Sequence, residues 1–105
     1  MTDLVLLYIT CANRDEAISL ARTLVQEKLV ACANVLDGAT SLYRWEGKLE
    51  EASEAILIAK TQAAKVEEAT QCIKSLHSYS VPCIVTLPIL SGNADFLQWV
   101  TEETK

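Results

Sequence analysis

Leu4-Val-Leu-Leu-Tyr-Ile9 is a continuous apolar run, of a length that suits a strand buried on both faces and falls short of a helix. Such a strand belongs at the centre of a sheet, and the order of the elements after it decides which sheet. Asn13, with Glu16 three residues on, resembles a capping box. Ala17, Leu20, Ala21, Leu24 and Leu29 then recur at helical spacing, giving an amphipathic helix over roughly 14–28. Ala31-Cys-Ala-Asn-Val-Leu36 reads as a second strand, interrupted at Asp37-Gly38 by a bend or bulge and resumed by the β-type residues Thr40 to Trp45.

Glu46-Gly47 supplies a turn, and Leu49 to Lys60 returns as the other arm of one long hairpin. Its first half alternates Glu with Ala and its second half is the apolar Ala55-Ile-Leu-Ile-Ala59, so exposure should fall along it. Val66, Ala69, Ile73 and Leu76 form a second helix behind a polar start at Thr61-Gln62, ending near His77-Ser78 ahead of Pro82. Ile84-Val-Thr-Leu-Pro-Ile89 is a last strand that Pro88 confines to a sheet edge or its end. Gly92-Asn93 opens a short terminal helix carrying Phe96, Leu97, Trp99 and Val100.

The order is βαββαβ plus a terminal helix. An α+β, ferredoxin-like sandwich satisfies it: right-handed crossovers interleave into an antiparallel sheet of order 4-1-3-2 with both main helices on one face. That topology gathers Cys11, His77, Tyr79 and Cys83 at one edge with the hairpin turn, and sends Lys60 and Cys32 to the opposite one.

The chain has 105 residues, 50% hydrophobic and 22% charged, which fits one domain over 1–105. Nine basic against 14 acidic residues give a net charge of −5, which disfavours electrostatic binding to nucleic acid or membrane. The apolar start is too short for a signal-peptide core or a spanning helix, which makes the cytosol the expected location. The four cysteines, Cys11, Cys32, Cys72 and Cys83, form no C-x-x-C pair and read as reduced thiols.

Four segments carry a resemblance: Ser41-Leu-Tyr-Arg-Trp-Glu-Gly-Lys-Leu-Glu50, Lys60-Thr61, His77-Ser-Tyr-Ser-Val-Pro82 and Gly92-Asn93 with Trp99. With Thr10-Cys11 and Glu27-Lys-Leu-Val-Ala-Cys-Ala-Asn34 they resemble the CutA divalent-ion tolerance family over nearly the whole chain. The resemblance implies a homotrimer built through long hairpins, similar in architecture to PII signalling proteins, cytoplasmic in bacteria, and associated with tolerance of copper and other divalent metals. The chain departs from the family pattern at Ala12, where Pro is usual, and at Ser80 and Cys83, where carboxylates are usual. Ile9 and Leu76-His77 stand where some relatives carry a Cys and two consecutive His proposed as copper ligands, so only His77 carries over.

Cys11, His77 and Cys83 are the candidate metal ligands. Thiolate and imidazole suit copper(I) or zinc better than magnesium or calcium, and neither metal is expected to be obligatory. The competing reading is two small packed hydrophobes and a hydrogen-bonded histidine, since free Cys is among the most buried residue types. Tyr43, Trp45, Tyr79 and Lys60 are candidates for a cleft between subunits suited to an anionic or planar small molecule. Leu42, Tyr43 and Trp45 are candidates for the trimer interface, the reading favoured for Tyr43 and Trp45. The acidic run Glu46, Glu50, Glu51 and Glu54 reads as a solvated strand face. No G-x-S-x-G, Walker loop or H-E-x-x-H is present, and the single His has no orienting acid near it in sequence, so an enzyme is the least expected class.

Overall fold

The computed structural model describes residues 3–105. Strand β1 (Leu4–Cys11) is followed by helix α1 (Arg14–Gln26), then β2 (Cys32–Trp45) and β3 (Lys48–Gln62). A 3-10 turn (Ala63–Lys65) leads into α2 (Val66–Leu76), β4 (Ile84–Pro88) and α3 (Ala94–Glu103). The sheet order is β2-β3-β1-β4 with every neighbour antiparallel, the ferredoxin-like arrangement expected from the element order.

Local chemistry sets the boundaries. Asn13 Oδ1 accepts the Glu16 N–H at 2.8 Å and starts α1. The helix stops two residues earlier than its periodicity predicts because Lys28 takes a left-handed φ of 59°. Glu46 and Gly47, at φ 49° and 79°, make the paired positive-φ turn that matches strand twist in a two-residue hairpin. At Asp37-Gly38 the β2–β3 register shifts between Leu36 and Ala39, and Gly38 at φ 81° accommodates the bulge. Thr61 and Gln62 prove to be the last residues of β3 rather than a helix start. The Thr61 hydroxyl is fully buried and donates to the Leu29 carbonyl at 2.7 Å, while the Gln62 amide reaches Thr104 Oγ1 at 2.9 Å and ties α3 to the sheet.

The two faces of the sheet differ. On one, Leu7, Ile9, Cys11, Ala55, Leu57 and Ala59 pack under Ala17, Leu20 and Leu24 of α1 and Ala69 and Ile73 of α2. Each large aliphatic group in that layer contributes roughly 1.5–3 kcal/mol by leaving water. The opposite face places Cys32, Lys60, Leu6 and Leu87 in one register row, and Asn34, Ile58, Tyr8 and Val85 in the next. Neither α1 nor α2 covers it, and Leu36, Val85 and Leu87 stay about half exposed. Beyond the helices the hairpin continues as a two-stranded arm bearing exposed Leu42, Tyr43, Trp45 and Leu49.

Candidate functional site around the end of the first strand

Two polar groupings flank the end of β1. The first is largely buried: Cys11, Glu16 and His77 bring one potential ligand atom each to within 4.8 Å of one another. Glu16 lies on the first turn of α1, the register its cap residue sets, and its carboxylate accepts two backbone N–H groups. These come from Ala12, at 3.0 Å to Oε1, and from Ser78, at 3.0 Å to Oε2. The His77 imidazole, wholly buried, donates from Nε2 to the Thr10 carbonyl at 2.8 Å and accepts the Tyr79 N–H on Nδ1 at 3.0 Å. A ring nitrogen facing a carbonyl carries the proton and one facing an N–H carries the lone pair, so these partners assign the Nε2–H tautomer.

The electrostatics of this cluster follow from its packing. Burial works to raise the Glu16 carboxyl. The Ser78 side chain, the two backbone N–H groups and neighbouring His77 outweigh it and hold the carboxyl below its ordinary range. Cys11 goes the other way: burial, then the charges of Glu16 and Glu54, push its thiol up to about 12. A thiol so placed is not a ready metal ligand, because ligation needs the thiolate. Both imidazole nitrogens are already bonded within the protein. As it stands the cluster does not fit a bound metal ion; it fits a latch joining β1, the start of α1 and the loop after α2.

The second grouping surrounds an open cavity of about 560 Å³ on the helix-free side, lined among others by Thr10, Tyr43, Trp45, Glu54, Tyr79 and Cys83. The Tyr79 phenol donates to Glu54 Oε2 at 2.6 Å. Burial, that bond and the charge of Glu54 all raise the phenol above its ordinary value, so Tyr79 stays a donor.

The expected metal set is therefore divided. Cys11 and His77 come together, but with Glu16 as the third member. Cys83 is exposed and lines the cavity instead: with Ile9 paired to Ile84 the preceding Cys83 falls opposite Thr10, on the face away from Cys11. The cleft set was expected between subunits, and within one chain its members lie apart. Tyr43, Trp45 and Tyr79 share the cavity, whereas Lys60 pairs with Cys32, donates to Asn34 Oδ1 at 3.3 Å and lies 5.9 Å from the Phe96 ring. Glu54, read as solvated, is only 6% exposed. Its signal was its place beside Ala55, where the hairpin turns apolar. Glu16 was visible as a capping residue but not as the acid beside His77, since 61 positions of chain separate them.

A family model for the CutA1 divalent ion tolerance protein matches residues 5–103. The chain belongs to the CutA1 divalent ion tolerance family. It is 46% identical to a CutA homolog of Xenopus laevis over 89% of this chain and 62% of that protein. It is 42% identical to the divalent-cation tolerance protein CutA of Thermus thermophilus over 91% of this chain and 93% of that protein. The solved CutA1 of Oryza sativa superposes with a TM-score of 0.96 at 36% identity, covering 99% of this chain and 95% of the other. The chain spans little more than half the length of several eukaryotic CutA relatives it matches. The expectation of a cytosolic location does not stand as a family property. One CutA relative, from Arabidopsis thaliana, is chloroplastic, and the solved CutA of Archaeoglobus fulgidus is described as periplasmic. A short apolar start excludes a signal core at that position only, and tolerance proteins of one fold serve several compartments. Among the described residues no helix is long and apolar enough to cross a membrane.

Proposed function

We propose that the protein acts in divalent-cation tolerance as a non-catalytic homotrimer, closed through the helix-free sheet face and the hairpin arm. The observation that carries this is the uncovered face itself. Leu36, Val85 and Leu87 in the sheet, Phe96 and Trp99 on α3, and Leu42, Tyr43 and Trp45 on the arm are all 40% or more exposed. An apolar surface of that extent marks an interaction site. The two free sheet edges, β2 and β4, carry the same liability, which pairing around a closed symmetry axis removes. Metal contact in this reading is with copper(I) or zinc, the ions that thiols suit. Cys83 is the most exposed of the four thiols, and Cys11 contributes only if the metal displaces its proton. Nucleic acid and membrane have no role in this reading.

Sedimentation equilibrium at micromolar concentration is the direct test, with a trimer mass expected and a monomer mass contradicting the assembly. Trp45→Ala should weaken association more than Trp99→Ala, since Trp45 stands on the arm beyond helical cover. Titration with copper(I) and zinc under reducing conditions tests the metal component. Cys83→Ser should lower affinity, Cys11→Ser should change it little near neutral pH, and magnesium and calcium should compete poorly. Equal affinity in wild type and Cys83→Ser would remove Cys83 from the metal chemistry.

A further inference from the structure

Glu54 and Lys60 carry opposite charges on one face of β3, and among the described residues neither forms an ion pair. Ala55, Leu57 and Ala59 belong to the core under the helices, so the alternate positions 54, 56, 58 and 60 turn to the helix-free face. Glu54 is only 6% exposed and meets a single donor, the Tyr79 phenol. Lys60 reaches the Asn34 amide oxygen and the Phe96 ring but no carboxylate. Six residues of extended strand hold the two backbones about 20 Å apart, farther than the two side chains can bridge. We propose that Glu54 of one copy of the chain pairs with Lys60 of the next, and that this contact sets the register between copies. The pairing presupposes the trimer proposed above and supplies a contact that closes it.

Each charge lies among aromatic rings on the uncovered surface. Tyr43 and Trp45 of the arm stand with Tyr79 around Glu54. Phe96 of α3 stands by Lys60, with the Trp99 ring centred 5.6 Å from its own. Tyr43, Trp45, Phe96 and Trp99 are all exposed in the single chain. Two apolar patches of opposite sign complement each other rather than themselves. That suits a head-to-tail contact, in which each copy gives one patch and receives the other, and which closes into a ring. Burying a carboxylate is costly unless a counter-charge or several donors meet it, and one phenol leaves lone pairs of Glu54 unused. An ammonium group seated there meets that need and fixes which register the copies adopt. The other cation on this face of β3 is Lys48, opposite Trp45 at the hairpin tip, where it is exposed and water solvates it. Lys60 is half-buried beside rings that themselves need cover, which selects it over Lys48.

The test is the concentration at which the trimer half-dissociates, read by sedimentation in mild denaturant on variants that keep the native circular dichroism. Lys60→Glu and Glu54→Lys each bring like charges together and should raise that concentration at least about tenfold. The double exchange, Glu54→Lys with Lys60→Glu, should return it to within about threefold of wild type. Glu54→Gln and Lys60→Gln should each raise it about threefold, and the two together no more than either alone, a cycle that decides the matter if Glu54→Lys fails to fold. Lys48→Gln should combine additively with Glu54→Gln. A wild-type trimer in which the double exchange dissociates as readily as the worse single reversal, or in which the two Gln variants add, would overturn the pairing and leave the trimer standing. Non-additivity of Lys48→Gln with Glu54→Gln would also overturn it, giving Glu54 to the tip lysine of the second copy. A wild-type monomer would remove the trimer, and the pairing with it.

Discussion

Glu16 and Glu54 flank the same strand end, and they are used in opposite ways. Glu16 has both oxygens occupied by backbone N–H groups from two separate segments, and buried His77 and Cys11 stand beside it. Glu54 meets one phenol and lines an open cavity. A carboxylate satisfied by backbone donors from two segments holds those segments together, because losing it releases both and leaves the part-buried Ala12 amide without its acceptor. A carboxylate met by a side chain on a cavity wall retains capacity for something else. The comparison assigns the first grouping to stability, although it holds the more metal-like residues, and leaves Glu54 with unused acceptor capacity.

The largest expected effect is therefore on the structural side. Glu16→Ala removes the acceptor of the part-buried Ala12 amide and of the exposed Ser78 amide and frees the loop that carries His77, and should cost about 1–2 kcal/mol in denaturant unfolding. Glu54→Gln, which preserves size and the phenol's acceptor, should cost less than about 1 kcal/mol. Should the two variants unfold at the same denaturant concentration, the division of labour would be lost.

How far the sequence could have led to this division depends on which forces are local. Asn13 at the start of α1, Asp37-Gly38 at the bulge and the Glu46-Gly47 turn act through their own neighbours, so the elements and their order were legible. The apolar run of β1 required a central position, which fixed the sheet order. The site was legible only as a neighbourhood. That His77 would meet Glu16, and Glu54 meet Tyr79, depends on where the loop after α2 crosses β1, a consequence of packing rather than of spacing. Lys60 differs: its place beside Cys32, at the edge away from Cys11 and His77, was foreseeable from the topology.

The pH dependence of stability sharpens the contrast next. Glu16 has a folded-state pKa held below its ordinary value of 4.5. Its contribution is complete above 4.5 and is lost as pH falls through the lower folded value, where protons bind the unfolded chain first. Stability of the wild type should decline along that acid limb, and Glu16→Gln should show a shallower decline in the same window. Parallel acid limbs in the two proteins would mean that the Glu16 bonds contribute nothing specific to the charged form.

The smallest effect expected lies at the alkaline end and isolates Cys11. Its folded-state thiol titrates near 12 against an ordinary value of 9.0, so the unfolded chain loses that proton first as pH rises. The native state's advantage is complete below pH 9 and is lost progressively toward pH 12. Tyr79, also raised, acts in the same direction and must be separated from it. Cys11→Ala removes a buried sulfur and lowers stability at neutral pH by about 1 kcal/mol through lost packing, but it should flatten the decline between pH 9 and 12, while Tyr79→Phe flattens only the steeper end. Thiol alkylation at pH 8 provides the independent check: exposed Cys83 should react first and buried Cys11 last. Rapid labelling of Cys11 in the folded protein would show a thiolate where burial and two carboxylates argue for a thiol, and would return the Cys11, Glu16 and His77 cluster to the metal-binding side of the comparison.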